Sequence, residues 1–236
     1  MDSGKAKLRI GFIAFPNFVL LDLAGPADIL AQLPDAEVQI LWKTLDPVSS
    51  DSGLQLVPTT RYDQCDGLDV ICVPGGPGQI EMMEDIETLA FLRRIAPGCQ
   101  FITAVCTGSL ILGAAGLLQG YRATSHWASV DQLALLGALP VSERVVMDGN
   151  RMTGAGVSAG LDFALALAAE LGGARVAQKI QLRTEYDPAP PFDSGSPGKA
   201  EPGLLAEVRE AMQPYLERRR RAATAAGARL SDAGLR

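Results

Sequence analysis

The chain has 236 residues, 47% of them hydrophobic and 20% charged, with a formal net charge of −6. The apolar content excludes a largely disordered chain, and the length suits one sizeable core. The negative balance excludes a general attraction to nucleic acid or to an anionic membrane surface.

Residues 8–15 (LRIGFIAF) are a short apolar run that stops at Pro16-Asn17 and predicts a buried strand. Residues 21–33 place Leu23, Ala27, Leu30 and Leu33 along one side of a helix. Residues 37–44 alternate as a strand does, and 68–76 read as another buried strand, broken at Pro74-Gly75-Gly76. An amphipathic helix over 86–96 follows, with Leu89, Leu92 and Ile95 on its covered side. FITAVC (101–106) is short and strand-like, whereas 109–118 is rich in Ala and Leu, as a helix would be, and stops at Gly120. Beyond His126 the pattern predicts a helix near 128–136 and a hairpin turning at Asp148-Gly149-Asn150. A long helix then starts with Ser158 as N-cap, and further helices cover 174–182 and 201–221. The segment YDPAPPFDSGSPGKAEPG is a surface loop. Residues 1–222 are thus expected to form a single domain and 223–236 a basic tail free to flex, with Arg218 to Arg221 at the solvated end of the last helix.

Strands alternating with helices predict an α/β fold, a mostly parallel central sheet with helices on both faces. Ligands in such folds sit beyond the carboxyl ends of the strands. Three of those ends carry distinctive residues: Phe15-Pro16 leading to Asp22, Val73-Pro74-Gly75-Gly76, and Val105-Cys106-Thr107-Gly108.

The uncharged run 101–118 is long enough to be weighed as a membrane span. Its glycines, threonines and serine argue instead for a buried strand and helix, and no membrane association is expected. Cys106 then falls at the strand-to-helix turn, where backbone N–H groups and the helix dipole would lower the thiol pKa. Cys72, mid-strand, is expected to fill space, and Cys65 and Cys99 suggest no function. Two partners stand open for Cys106: His126, the single histidine, and Asp22. Leucines on either side of Asp22 predict partial burial, which would raise its pKa and let it hold an exchangeable proton.

Four cysteines without a CxxC pair and a lone histidine make no zinc site, so no metal is expected. Gly156-Val157-Ser158-Ala159-Gly160 matches a hydrolase elbow, yet no histidine follows it. The glycine clusters lack a full dinucleotide fingerprint, and no organic cofactor is expected. The N-terminus carries no signal-peptide pattern, and with free thiols this predicts a cytoplasmic protein.

Taken in order, LLDLAGPADIL, DVICVPGGPG, ITAVCTGSLILGAAGLLQGYRATSHW and TGAGVSAGLDFALALAAEL resemble the ThiJ/PfpI superfamily, and within it the isonitrile hydratase branch. The similarity runs from about residue 8 to about 220. It implies a flavodoxin-like sandwich and a homodimer. It also implies a small-molecule isonitrile substrate, hydrated to an N-substituted formamide through a Cys106 thioimidate, without a cofactor. Cys106 would be the nucleophile and Asp22 the nearby acid. Thr107 stands where protease-like and glyoxalase-like members usually carry histidine, which favours the hydratase branch. Thr107 would help orient the sulfur, and Gly75, Gly76 and His126 would line the substrate site. A second branch, the N-terminal domains of AraC-type regulators, would make the chain a regulatory or redox-sensing protein. Its members carry a further DNA-binding region that this sequence is too short to hold. Glyoxalase-like activity is the third alternative.

Overall fold

The structure, a computed structural model, describes residues 7–234. Residues 1–6, part of the stretch without a signal-peptide pattern, and residues 235–236, at the end of the expected tail, lie outside the described residues.

The chain opens with β1 (Leu8–Ile13), α1 (Leu20–Leu30) and β2 (Ala36–Trp42). Short strands β3 (Val48–Ser49), β4 (Gln55–Leu56) and β5 (Thr60–Arg61) lead to β6 (Val70–Val73), α2 (Gln79–Met82) and α3 (Ile86–Ile95). Then come β7 (Phe101–Val105), α4 (Gly108–Ala114), β8 (Arg122–Ala123), a 3-10 helix (Val130–Leu136) and β9 (Leu139–Pro140). The antiparallel hairpin of β10 (Val145–Asp148) and β11 (Arg151–Gly154) is followed by α5 (Ala159–Gly172), α6 (Ala174–Arg183) and α7 (Pro202–Asp232).

Seven strands form the central sheet in the order β10-β11-β7-β6-β1-β2-β5. All neighbours are parallel except β10 on β11. The VICV of β6 is buried at every position, as a strand covered on both faces must be. The sheet steps one way after β1 and the other way after β6, so right-handed crossovers place α1 and α3 on opposite faces. Consistent with this, α5 packs on α1 and α6 on α5, while α4 contacts α3 and α7.

The uncharged run 101–118 is β7, a tight turn and α4, whose residues are all buried. Its hydrophobicity is therefore that of a central strand with its following helix. No helix among the described residues is long and apolar enough to cross a membrane.

Local chemistry explains the helix boundaries. Asp85 caps α3 by accepting from the Thr88 N–H at 2.8 Å, and Arg93 and Arg94 lie in its last turn, where cations suit the dipole. Ser158 does occupy the N-cap position of α5, but its hydroxyl makes no capping bond and instead accepts from Arg144 at 3.4 Å. Residues 130–136 are a 3-10 helix closed by Gly137 in the left-handed region at φ 80°.

The largest departure from the expected organisation is at the C-terminus. Residues 223–232, predicted as part of a flexible tail, continue α7 without a break. Ala223, Ala226 and Leu230 are buried, and Arg229 donates to the Met83 carbonyl at 2.9 Å. The segment lacks the dense apolar spacing of the other helices because small alanines, rather than leucines, form most of its packed side.

Candidate active site

The ends of β1, β6 and β7 are adjacent in the sheet, so the three distinctive strand ends converge. Cys106 directly follows β7. It has φ 57°, a left-handed conformation that costs a non-glycine residue about 1–3 kcal/mol. Its own backbone holds it there. The Cys106 N–H donates to the carbonyls of Gly154 at 3.0 Å, the last residue of β11, and of Ala155 at 2.7 Å, just after it. Its carbonyl accepts from two buried hydroxyls, Ser109 and Ser125, each at 3.0 Å. Four hydrogen bonds from three parts of the chain thus fix the turn that presents the thiol.

Asp22 is the third residue of α1 and is 1% exposed. Its Oδ2 accepts from the Gly75 N–H at 2.9 Å, and the Gly75 carbonyl accepts from the Val19 N–H at 2.9 Å. This reciprocal pair ties the start of α1 to the turn after β6. Oδ1 is buried without a well-formed hydrogen bond, and the carboxyl's remaining side-chain interaction is with the Cys106 thiol. Burial pushes the carboxyl from its ordinary 3.8 up to about 7, against the opposing pull of the Gly75 N–H and of Cys106.

The thiol differs from the sequence expectation. The Thr107 N–H and the charge of Arg219 do favour the thiolate, but burial, followed by the adjacent Asp22 charge, pushes the Cys106 pKa well above the ordinary thiol range. Desolvation outweighs the helix terminus because Cys106 is buried, at 5% exposed, and α4 is only seven residues long. The two groups accordingly titrate as a pair, with Asp22 losing its proton first.

Thr107 is buried, and its Oγ1 accepts from the Gly76 N–H at 3.2 Å. The N–H groups of Gly75 and Gly76 are therefore both engaged, one holding the Asp22 carboxyl and the other the residue after Cys106. Gly75 must be glycine: a Cβ there would stand 2.6 Å from the Thr107 N and Oγ1 and 3.0 Å from the Cys106 Cβ.

No hydrogen bond joins His126 to Cys106 or Asp22 among the described residues. Its ring lies against Gly156, and its Nδ1 accepts from the Ala128 N–H at 3.3 Å. Burial and the charge of Arg219 lower its pKa to about 4, so at neutral pH it is an uncharged imidazole with Nε2 as donor. It can offer a hydrogen bond but holds no exchangeable cationic proton at that pH.

Cys72 is buried in β6 and accepts from the Thr103 hydroxyl at 2.9 Å, which suits its expected space-filling role. Burial pushes the Cys72 and Cys99 thiols up to about 12. All four cysteines are free.

The sequence reading missed three contributors. Ser109 and Ser125 lock the elbow, and Arg219, expected at a solvated helix end, is 4% exposed. Ser109 could have been singled out, because a hydroxyl three residues after a turn residue is placed to reach back to it. Ser125 and Arg219 carry no local signal, since only packing brings them to Cys106.

The sequence pattern of the DJ-1/PfpI family matches residues 8–170. Over 224 residues, 95% of this chain and 98% of the relative, it is 55% identical to the isonitrile hydratase of Pseudomonas putida. It is 34% identical over 189 residues to the HTH-type transcriptional regulator GbdR of Pseudomonas aeruginosa, a match that takes in 75% of this chain and 50% of the regulator. Among solved structures, a ThiJ/PfpI family protein from Pseudomonas syringae superposes with a TM-score of 0.90 at 44% identity, covering 92% of this chain and 91% of that one.

Proposed function

The chain belongs to the DJ-1/PfpI family, and from that premise we infer that it is a cysteine-dependent isonitrile hydratase, forming N-substituted formamides from isonitriles and water. The observation that carries this reading is the buried pair of Asp22 and Cys106, a carboxyl that titrates near neutrality beside a thiol held in a strained turn. The identity to the P. putida enzyme across nearly its whole length supports the choice of substrate. The regulator similarity extends over only half of that protein and is lower, at 34% identity.

The pair works best when it holds one proton. Asp22 carboxylate accepts the thiol proton as the sulfur attacks the terminal carbon of R–N≡C. A C–S bond forms, one C–N π bond opens, and Asp22 delivers the proton to that carbon, giving the thioimidate R–N=CH–S–Cys106. Water then adds to the same carbon, its proton passing to Asp22 and on to nitrogen. Collapse of the tetrahedral adduct breaks the C–S bond, leaving R–NH–CHO and the sulfur, which regains the proton of the former hydroxyl. The Thr107 N–H, directed at the sulfur, stabilises its anionic form during attack and departure. Gly75 and Gly76 shape the site through Asp22 and Thr107, and His126 supplies a neutral donor to the substrate side.

The reading includes a homodimer acting in the cytoplasm. Four unpaired cysteines agree with a reducing compartment. Sedimentation should return twice the 24.9 kDa chain mass.

Incubation with simple alkyl isonitriles should yield formamide, and mass spectrometry should trap an adduct on Cys106. Cys106→Ala should abolish both. Absence of turnover and adduct across a panel of isonitriles, with ready oxidation of Cys106 by mild peroxide, would favour the redox-sensing alternative instead.

A further inference from the structure

Three consecutive arginines of α7 meet three different environments. Arg218 reaches Glu81 at 3.1 Å and Arg220 pairs with Asp131, both at the surface. Arg219, about 100° around the helix from each neighbour, turns inward. Its Nε donates to Gln79 Oε1 at 2.8 Å and its Nη1 to Ser129 Oγ at 2.6 Å, with the guanidinium 4.5 Å from the Tyr215 ring centroid. Among the described residues it makes no ion pair with a carboxylate. A buried charge without a counter-ion is costly, so its retention calls for an anion that it serves.

Its two partners identify the place. Gln79 follows the Gly75–Gly78 turn that holds Asp22 and Thr107, and its own N–H donates to the Gly76 carbonyl at 3.1 Å. Ser129 donates its N–H to the His126 carbonyl at 2.8 Å. The guanidinium therefore bridges the two segments that flank the nucleophile. It also fixes Gln79 with its amide oxygen toward Arg219, which leaves the buried Nε2 as a donor without a protein partner.

We propose that Arg219 is the resident cation of the site, a positioning residue that clamps the 75–79 and 126–129 segments and stabilises the anionic sulfur of Cys106 as it forms and departs. The charged groups acting on Cys106 are Asp22 from α1 and Arg219 from α7, opposite in effect, with Asp51 behind Asp22. Arg219 also bears on His126, where it adds to burial in keeping the imidazole uncharged, and on Tyr215, which Glu81 and Arg218 influence as well. Among the described residues, its side chain is thus the single positive charge acting on both the thiol and the histidine.

The inference rests on Cys106 being the nucleophile, but its test needs no isonitrile. The rate of Cys106 alkylation by iodoacetamide at pH 8, read by peptide mass spectrometry, reports the thiolate fraction. Arg219→Gln should slow it about tenfold, the effect of one pKa unit, while Arg219→Lys should keep most of the wild-type rate. The single histidine gives an independent readout: its NMR titration midpoint should rise in Arg219→Gln and stay low in Arg219→Lys. Equal alkylation rates in wild type and Arg219→Gln would overturn the proposal, as would a lysine variant as slow as the glutamine one. Should Arg219→Gln fail to fold, the double change Gln79→Ala and Ser129→Ala frees the clamp, and slower alkylation supports the proposal where an unchanged rate rejects it. If alkylation slows as expected while the wild-type protein hydrates no isonitrile, the charge assignment stands and the hydratase reading falls.

Discussion

Asp22 and Cys106 are each placed at a cost, Asp22 by losing its water and Cys106 by adopting φ 57°. In the proposed mechanism, a proton moves between them. Asp22→Asn keeps the shape but removes the proton acceptor, and kcat for isonitrile hydration should fall about 10²- to 10⁴-fold, the usual scale of general acid–base help. The pH profile carries the sign. Asp22 accepts the thiol proton only when ionised, so wild-type activity should fall as pH drops through about 7, and a stopped-flow or formamide assay across pH 5 to 9 would see it. In Asp22→Asn that acid limb should be missing from the residual rate. A limb that persists unchanged in the variant would assign it to another group.

The turn after β6 and helix α7 show how much the site depends on its supporting elements. Gly75 accommodates Thr107 at a distance that no Cβ tolerates. Gly75→Ala should therefore displace the loop, and a shift of about 1 Å at a catalytic group lowers kcat/KM about 10²-fold. Circular dichroism should show the fold retained. At the other end of the chain, Leu230 is 1% exposed and sits where a Cβ on Gly116 would lie 3.3 Å from its Cδ2. Leu230→Ala should lower stability by about 2–5 kcal/mol in urea titrations, as for other buried leucines. A change within about 0.5 kcal/mol, the surface range, would restore the flexible-tail expectation.

For the molecule as a whole, Asp22 links stability to pH. Its folded pKa of about 7 lies above the ordinary 3.8, so the folded state keeps a proton that the unfolded chain releases. That contribution is complete below about pH 4 and is lost as pH rises through about 7. Asp22→Asn does not titrate, so its Tm advantage over wild type should grow between pH 4 and pH 8 and vanish at the acid end, as scanning calorimetry would measure. The fold that carries this pair was largely legible in the residues. LRIGFIAF, LDVICVPGG and FITAVC each announce a buried strand by apolar continuity and a break at Pro or Gly, and the antiparallel hairpin was readable from Asp148-Gly149-Asn150. Cys106 and Asp22 were legible too, because a thiol at a strand-to-helix turn and an acid between leucines are local anomalies. Periodicity and turn chemistry act between neighbours in the chain, and these the sequence determined by itself. The direction of the thiol's pKa, the Ser125 hydroxyl on the Cys106 carbonyl, and the inward turn of Arg219 depend on groups that arrive from distant segments. Only the tertiary structure decided them, because burial and charge are set by everything that packs around a group and not by the order of residues on either side of it.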